Sequence, residues 1–231
     1  MEQSQAASTP RAVSTRGSTV DEWTEALAQS TGSPGGGAGA GVMLAVAASL
    51  MSMVAGYTEP AEGAGDGGGR DEAAAVRERA QSLRRAALAL ADEDSAASRA
   101  FGAAFRMDRG PEREEAIRRA SVEAATSSAV LGEHAVGAIE DLAWLAADGN
   151  PALIADVVVA FGALRAAVAG ARTNVSYDLA SLRSAGKALE EIREQHPDLW
   201  SSVERLDAAL GRIDALTAEI DDRAAPTRRG L

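Results

Sequence analysis

The chain has 231 residues, of which 46% are hydrophobic, 25% charged and only 3% aromatic, the profile of a globular chain long enough to bury one sizeable core. Scarce aromatics beside abundant alanine and leucine disfavour a β-sandwich, whose strands draw on β-branched and aromatic residues, and predict an all-α fold. The 23 basic and 34 acidic residues leave a formal charge of −11, so no whole-molecule field attracts a phosphate backbone and nucleic acid is not an expected partner. With no cysteine, disulfides, thiolate nucleophiles and thiolate metal sites are all excluded. His134 and His196 form no H-x-x-x-H pair, so a two-histidine helical metal site is not expected, and only carboxylate-type Mg²⁺ sites stay open. His134 reads as a surface or packing residue, with a proton shuttle as the alternative; His196, before Pro197, reads as structural.

In chain order, Met1 to Ser18 is polar with no apolar signal core and is expected to be a disordered tail, residues 1–18. Thr19-Val20-Asp21-Glu22 has capping-box spacing and predicts a first helix to about Ser30. Thr31 to Gly37 breaks it. Residues 31–58 carry no charge, and Ala38 to Tyr57 is a run of bilayer-spanning length. Its Ala, Gly and Ser content and missing aromatic belt favour a second helix buried by its neighbours over a membrane span. Glu59 to Gly69, rich in glycine, predicts a flexible loop, and a third helix is expected from about Asp71 to Met107.

Arg109-Gly110-Pro111 starts a fourth helix that is expected to reach Ala147, and Pro151 a fifth, to about Arg183 with a break near Gly170. Gly186 leaves room for a short sixth piece. Pro197 to about Asp222 closes the set with a heptad seam of Leu199, Val203, Leu206, Leu210, Ile213, Thr217 and Ile220. The expected architecture is a single-domain antiparallel bundle of six to seven helices over residues 19–223, with a tail at 224–231.

Periodicity singles out two carboxylates. In the third helix the seam Ala80, Leu83, Ala87, Leu90, Asp94, Ala97, Phe101 puts Asp94 where a leucine belongs. A carboxylate there needs a partner or a purpose: an arginine salt bridge, or a place in a polar cleft. Asp156 is the only charge between Gly149 and Leu164, and reads either as an acid or base or as an acceptor for a helix terminus. Ser33-Pro34-Gly35-Gly36-Gly37 lets backbone approach a ligand at a helix N-terminus, although such glycines equally permit tight helix contacts.

These segments resemble one family. Asp21-Glu22-Trp23 through Ser33-Pro34-Gly35-Gly36-Gly37 to Ser49-Leu50-Met51-Ser52-Met53-Val54-Ala55 looks like the opening of the formiminotetrahydrofolate cyclodeaminase and methenyltetrahydrofolate cyclohydrolase family. Ala91 to Ala97 resembles its Asp-containing third-helix motif. Gly149-Asn150-Pro151, Ile154-Ala155-Asp156 and Ala171-Arg172-Thr173-Asn174-Val175 resemble its later motifs. Four positions depart from the pattern: Ala38 replaces a hydroxyl residue, Ser98 a Phe, Ser128 a Pro and Asp178 an Asn. The hydroxyl lost at Ala38 beside the glycine loop makes a non-catalytic helical dimerisation or folate-binding member of the same fold the alternative reading.

The resemblance implies a cytoplasmic, homodimeric all-helical protein that needs no metal or other cofactor and takes a tetrahydrofolate derivative as substrate. It implies either cyclisation of 5-formiminotetrahydrofolate with loss of ammonia or hydrolysis of 5,10-methenyltetrahydrofolate. Asp94 and Asp156 are then the expected acid/base groups. Ser33, Pro34, Gly35, Gly36, Gly37 and Asn174 would bind substrate, and Arg172 would meet the folate glutamate carboxylate by a bidentate contact.

Overall fold

The computed structural model describes residues 13–30, 33–58, 68–184 and 188–221. The expected tails over residues 1–12 and 222–231, residues 59–67 of the predicted loop and the Gly186 break lie outside the described residues. The elements are α1 (Val20–Ala28), α2 (Gly36–Gly56), α3 (Gly68–Phe105), α4 (Pro111–Val136), α5 (Ile139–Asp148), a 3₁₀ turn (Pro151–Leu153), α6 (Ile154–Ser184), α7 (Leu189–Gln195) and α8 (Pro197–Asp221). There is no strand among the described residues, and the all-α expectation holds.

Uncharged α2 lies at the centre of the bundle, packed between α3 and α6. Leu44, Met51 and Val54 of α2 share one core with Phe161 and Leu164 of α6 and with Leu206 and Ile213 of α8. By length and composition, α2 and the stretch Pro151–Leu182 are each apolar enough to cross a bilayer; the sequence had suggested one such run. The α3 and α6 sides of α2 are buried, as an apolar helix requires of its neighbours, but Met43, Val46 and Met53 are exposed, so the expectation of a helix buried by its neighbours holds only in part.

α2 and α6 run antiparallel. At one end Asn150 donates through Nδ2 to the Tyr57 carbonyl (3.0 Å) while its Oδ1 accepts from the Ala152 N–H (3.0 Å). Further along, a Cβ built on Gly170 would stand 2.9 Å from that of Ala40. Gly170 therefore marks a close helix contact and not a break, and α6 continues through it to Ser184.

Two other expectations change. The fourth predicted helix divides at Gly137, where i→i+3 bonding from Ala138 to Ala135 tightens the chain before α5. Residues 13–18, expected in the tail, sit on α3: the Thr15 N–H and the Ser14 hydroxyl donate to Asp92 at 2.6 and 3.1 Å. The capping box at Thr19 forms as the spacing predicts, and the α8 seam packs on α4 and α6 of its own chain.

Candidate functional site

The N-terminus of α2 is built from residues that bring backbone, not side chains, to the surface of a neighbour. Gly35 is the N-cap and supplies no side-chain hydrogen bond, so the first-turn N–H groups look outward with the partial positive charge of the helix end. Ser33 ties the loop to α3, donating to the Ser95 carbonyl (2.9 Å) and accepting from Arg99 Nη1 (3.1 Å). Pro34 beside it is buried, after a cis peptide bond.

Asp94 of α3 comes directly against this turn. A Cβ on Gly37 would overlap the Asp94 carboxyl group, so only glycine leaves room for the acid at that point. Oδ2 of Asp94 is buried with no hydrogen-bond partner, which is unusual for a carboxylate oxygen and costs free energy unless something else uses it. Burial pushes the Asp94 carboxyl above its usual range, while the Ala38 N–H and the Ser98 hydroxyl act in the opposite sense by favouring the ionised form. No arginine salt bridge to Asp94 occurs among the described ion pairs, which disposes of that alternative for the seam position. Asp92, two residues earlier, turns away to the 13–18 segment. Burial raises it, but the hydrogen bonds of Thr15, Ser14 and Arg16 bring it below the ordinary value.

From the α6 side, Asn174 lies one turn beyond Gly170, about 6 Å further along the axis. Given the Gly170–Ala40 contact, Asn174 is level with the Gly36–Gly37 turn. One more turn places Asp178 level with the Ser33–Gly35 loop. Both side chains are half-buried. Burial and then the charge of Asp94 push the Asp178 carboxyl up to about 7.

The structure thus brings together Ser33, Pro34, Gly35, Gly36, Gly37, Asp94 and Asn174 among the expected site residues. It does not bring Asp156 to them. Asp156 lies in the first turn of an α6 that is unbroken to Ser184, about 27 Å from Asn174, so within one chain it is no part of this cluster. Arg172 is also elsewhere: its Nε and Nη2 meet both oxygens of Asp207 on α8 at 2.9 and 3.2 Å. Two residues on a helix differ by about 200° in direction, so Arg172 and Asn174 face opposite ways.

Ala38 presents its side chain to a buried cluster with Trp23 and Ala91. A hydroxyl there would enter that cluster, whereas the group that Ala38 turns toward Asp94 is its backbone N–H. Of the four departures from the family pattern, Ser98 acts on the Asp94 carboxyl through its hydroxyl, Asp178 lies in the field of Asp94, and Ala38 contributes only the backbone N–H that any residue there would supply. Asp178 and Ser98 are the functional candidates that sequence reasoning passed over, and Arg99 at the loop is a third. The available signal was the spacing Gly170, Asn174, Asp178, which puts three residues on one face of α6.

A cleft of about 740 Å³ lies between α3, α4 and α8, lined by Leu83, Val130, His134, Leu199 and others. It does not include Asp94 or the α2 N-terminus. His134 is exposed on its rim, in keeping with the surface reading. Among the described residues, no group of three His, Cys, Asp or Glu side chains is placed to hold a metal ion.

An orphaned carboxyl beneath an uncapped helix N-terminus, with a second acid in its field, is an arrangement that can take up and release protons at a small polar site of a helical protein. The chain belongs to the formiminotransferase-cyclodeaminase family, whose sequence pattern matches residues 19–196. Among solved structures it is similar to the formiminotetrahydrofolate cyclodeaminase of Thermotoga maritima, with 23% identity, 90% of this chain and 96% of that one covered, and a TM-score of 0.73. At that identity the likeness is one of fold. No curated protein matches the chain.

Proposed function

We propose that this protein is an enzyme of one-carbon folate chemistry that makes or opens the five-membered ring bridging N5 and N10 of tetrahydrofolate. The observation that carries the reading is the Asp94 carboxyl, held against the α2 N-terminus with one oxygen unpartnered. Ring closure needs a base for the N10 proton and a proton for the departing nitrogen; ring opening needs a base for water. A half-buried carboxyl serves either step, and such assistance is worth about 10²- to 10⁴-fold. The N–H groups of Gly36 and Gly37 and the side chain of Asn174 orient the substrate, and Arg99, already at Ser33, is the cation placed to meet a glutamyl carboxylate.

Cyclodeamination is the leading reaction, since the family description and the similar solved structure both carry that word. Cyclohydrolysis is the alternative. A non-catalytic, folate-binding or dimerisation role has less support, because the residue change that suggests it, Ala38, keeps its side chain away from the site. The protein acts without a cofactor, in the cytoplasm and away from membranes, as a homodimer. The exposed Met43 and Val46 of α2 and Val159 of α6 supply apolar surface for a second copy. In this reading Asp156 acts only by reaching a site of the partner subunit.

Ultraviolet absorbance of 5,10-methenyltetrahydrofolate tests the proposal. Its appearance from 5-formiminotetrahydrofolate with release of ammonia identifies a cyclodeaminase, and its accelerated loss identifies a cyclohydrolase. Silence in both assays from folded protein, with no folate-dependent thermal shift, contradicts the folate reading.

A further inference from the structure

The Asp94 carboxyl lies against the first turn of α2 with its Oδ2 unpartnered, and Asp178, two turns beyond the Gly170–Ala40 contact on α6, lies level with the loop before that turn; no described cation neutralises the two. Arg99 is engaged at Ser33, Arg16 at Asp92, and Arg165 and Arg172 with Asp214 and Asp207 on α8. The first turn of α2 is uncharged. On the remaining sides, the stretch of α6 around Asp178 packs its Val175, Leu179 and Leu182 against Ala125 of α4, Ile192 of α7 and Leu199 of α8. Ser121 of α4 accepts a hydrogen bond from the Ser181 hydroxyl at 2.8 Å. Of the described titratable groups, Asp94 is the one whose charge acts on Asp178.

Two carboxylates in a partly dry site cannot both ionise cheaply, because the second charge meets the field of the first in a medium that screens it poorly. The pair is asymmetric. Asp94 has donors that favour its charge, the Ala38 N–H and the Ser98 hydroxyl. Among the described residues no such donor acts on the Asp178 carboxyl.

We propose that Asp94 and Asp178 form a carboxyl pair that holds one proton between them, with Asp94 as the base and Asp178 as the acid. The pair itself is independent of substrate; its use in catalysis rests on the folate reading above. With a formimino substrate in its protonated, amidinium form, the N10 lone pair forms the bond to the one-carbon centre. The N10 proton passes to Asp94, and Asp178 gives its proton to the amino group, which leaves as ammonia when its bond to that carbon breaks. The positive charge of the substrate stays in the methenyl product. The pair ends with one proton, as it began, and transfer from Asp94 to Asp178 resets it. One acid alone would have to release the N10 proton and deliver it again to another atom, whereas two acids on opposite helices take and give at separate positions.

Infrared spectroscopy of the full-length protein without ligand tests the pair directly, through the carbonyl band of a protonated carboxylic acid. The expected result is a band present at pH 6 that fades through a midpoint near pH 7 and is missing from Asp178→Asn. In Asp94→Asn the midpoint moves down toward ordinary carboxylates, because the neighbouring charge is gone. Absence of the band from wild type at pH 6, or an Asp94→Asn midpoint that does not move, overturns the pairing. This holds whether or not wild type turns over a folate, so failure of the folate reading is recognised separately by the absorbance assays. In an active enzyme, Asp178→Asn is expected to lower kcat by about 10²-fold or more with little change in KM. Its pH–rate profile is also expected to lose the limb near neutrality. Unchanged kcat and an unchanged profile overturn the catalytic use of Asp178. Asn is nearly isosteric with Asp and carries no charge to bury, and an intact helical circular-dichroism spectrum checks the fold.

Discussion

At the scale of single residues, the site depends on one missing side chain. Gly37 lets the Asp94 carboxyl lie against the first turn of α2, and the atoms that a Cβ would strike are the far end of a flexible side chain. Gly37→Ala is therefore expected to leave the bundle folded and push the carboxyl aside, with turnover reduced by 10²-fold or more, on the scale of lost acid/base assistance. Parallel circular dichroism and steady-state kinetics check this, and a fully active Gly37→Ala protein speaks against the placement of Asp94. Asp178 has a different signature. Its pKa of about 7 in the folded protein exceeds the usual value of about 3.9, so between these values the native state binds more protons than the unfolded chain. Stability consequently falls as pH rises from about 4 to 7 and stays reduced above that. Asp178→Asn removes this loss. At pH 8 it is expected to be more stable than wild type by about 1–3 kcal/mol, with the difference vanishing near pH 4, as read from urea midpoints at the two pH values.

At the scale of elements, helix–helix contacts decide what sequence patterns leave open. The capping box before α1 and the seam of α8 were legible because each is a local, repeating pattern that one element satisfies by itself. Asp94 was legible for the same reason, as the odd member of a seven-residue seam. Asp178 was not: a polar residue four positions after Asn174 looks like any solvated helix face, and only the packing of α6 on α2 shows where that face points. Gly170 misled in the opposite direction, since a glycine that breaks a helix and one that admits a neighbour are the same letter. Gly41 is of the second kind. A Cβ there would meet the Ala91 Cβ at 2.8 Å and the Ala87 carbonyl oxygen at 3.1 Å, and backbone cannot swing away as the Asp94 side chain can. Gly41→Ala is expected to destabilise the protein by about 1–3 kcal/mol through overpacking of α2 on α3. A thermal midpoint equal to that of wild type contradicts this. Arg172 shows the limit of reading a charge from its motif, because its fork is occupied by Asp207 and α8 lies far from it in sequence.

At the scale of the whole molecule, the fold places an apolar central helix between α3 and α6 but leaves part of it uncovered. Met43, Val46 and Met53 of α2 are 40%, 41% and 37% exposed, and Val159 of α6 is 58% exposed. If a second copy covers them, Val46→Glu puts a charge into the interface, and sedimentation is expected to show monomer where wild type shows dimer. A wild-type monomer at micromolar concentration contradicts the dimer. The net charge of −11 has its own consequence at this scale. Like-charged copies repel at long range, so association should strengthen with added salt. The bundle's ends differ in purpose: the α2 N-terminus, Asp94 and Asp178 gather at one, while Asn150 ties α6 to the Tyr57 end of α2 at the other. Asp156 belongs to that second end, so any catalytic part for it requires the dimer. The measurement that bears most directly on the account is turnover by Asp94→Asn, followed through the absorbance of 5,10-methenyltetrahydrofolate with folate-induced thermal stabilisation recorded in parallel. The expected result is retained binding with turnover lowered by about 10²-fold or more; full activity in Asp94→Asn would contradict it.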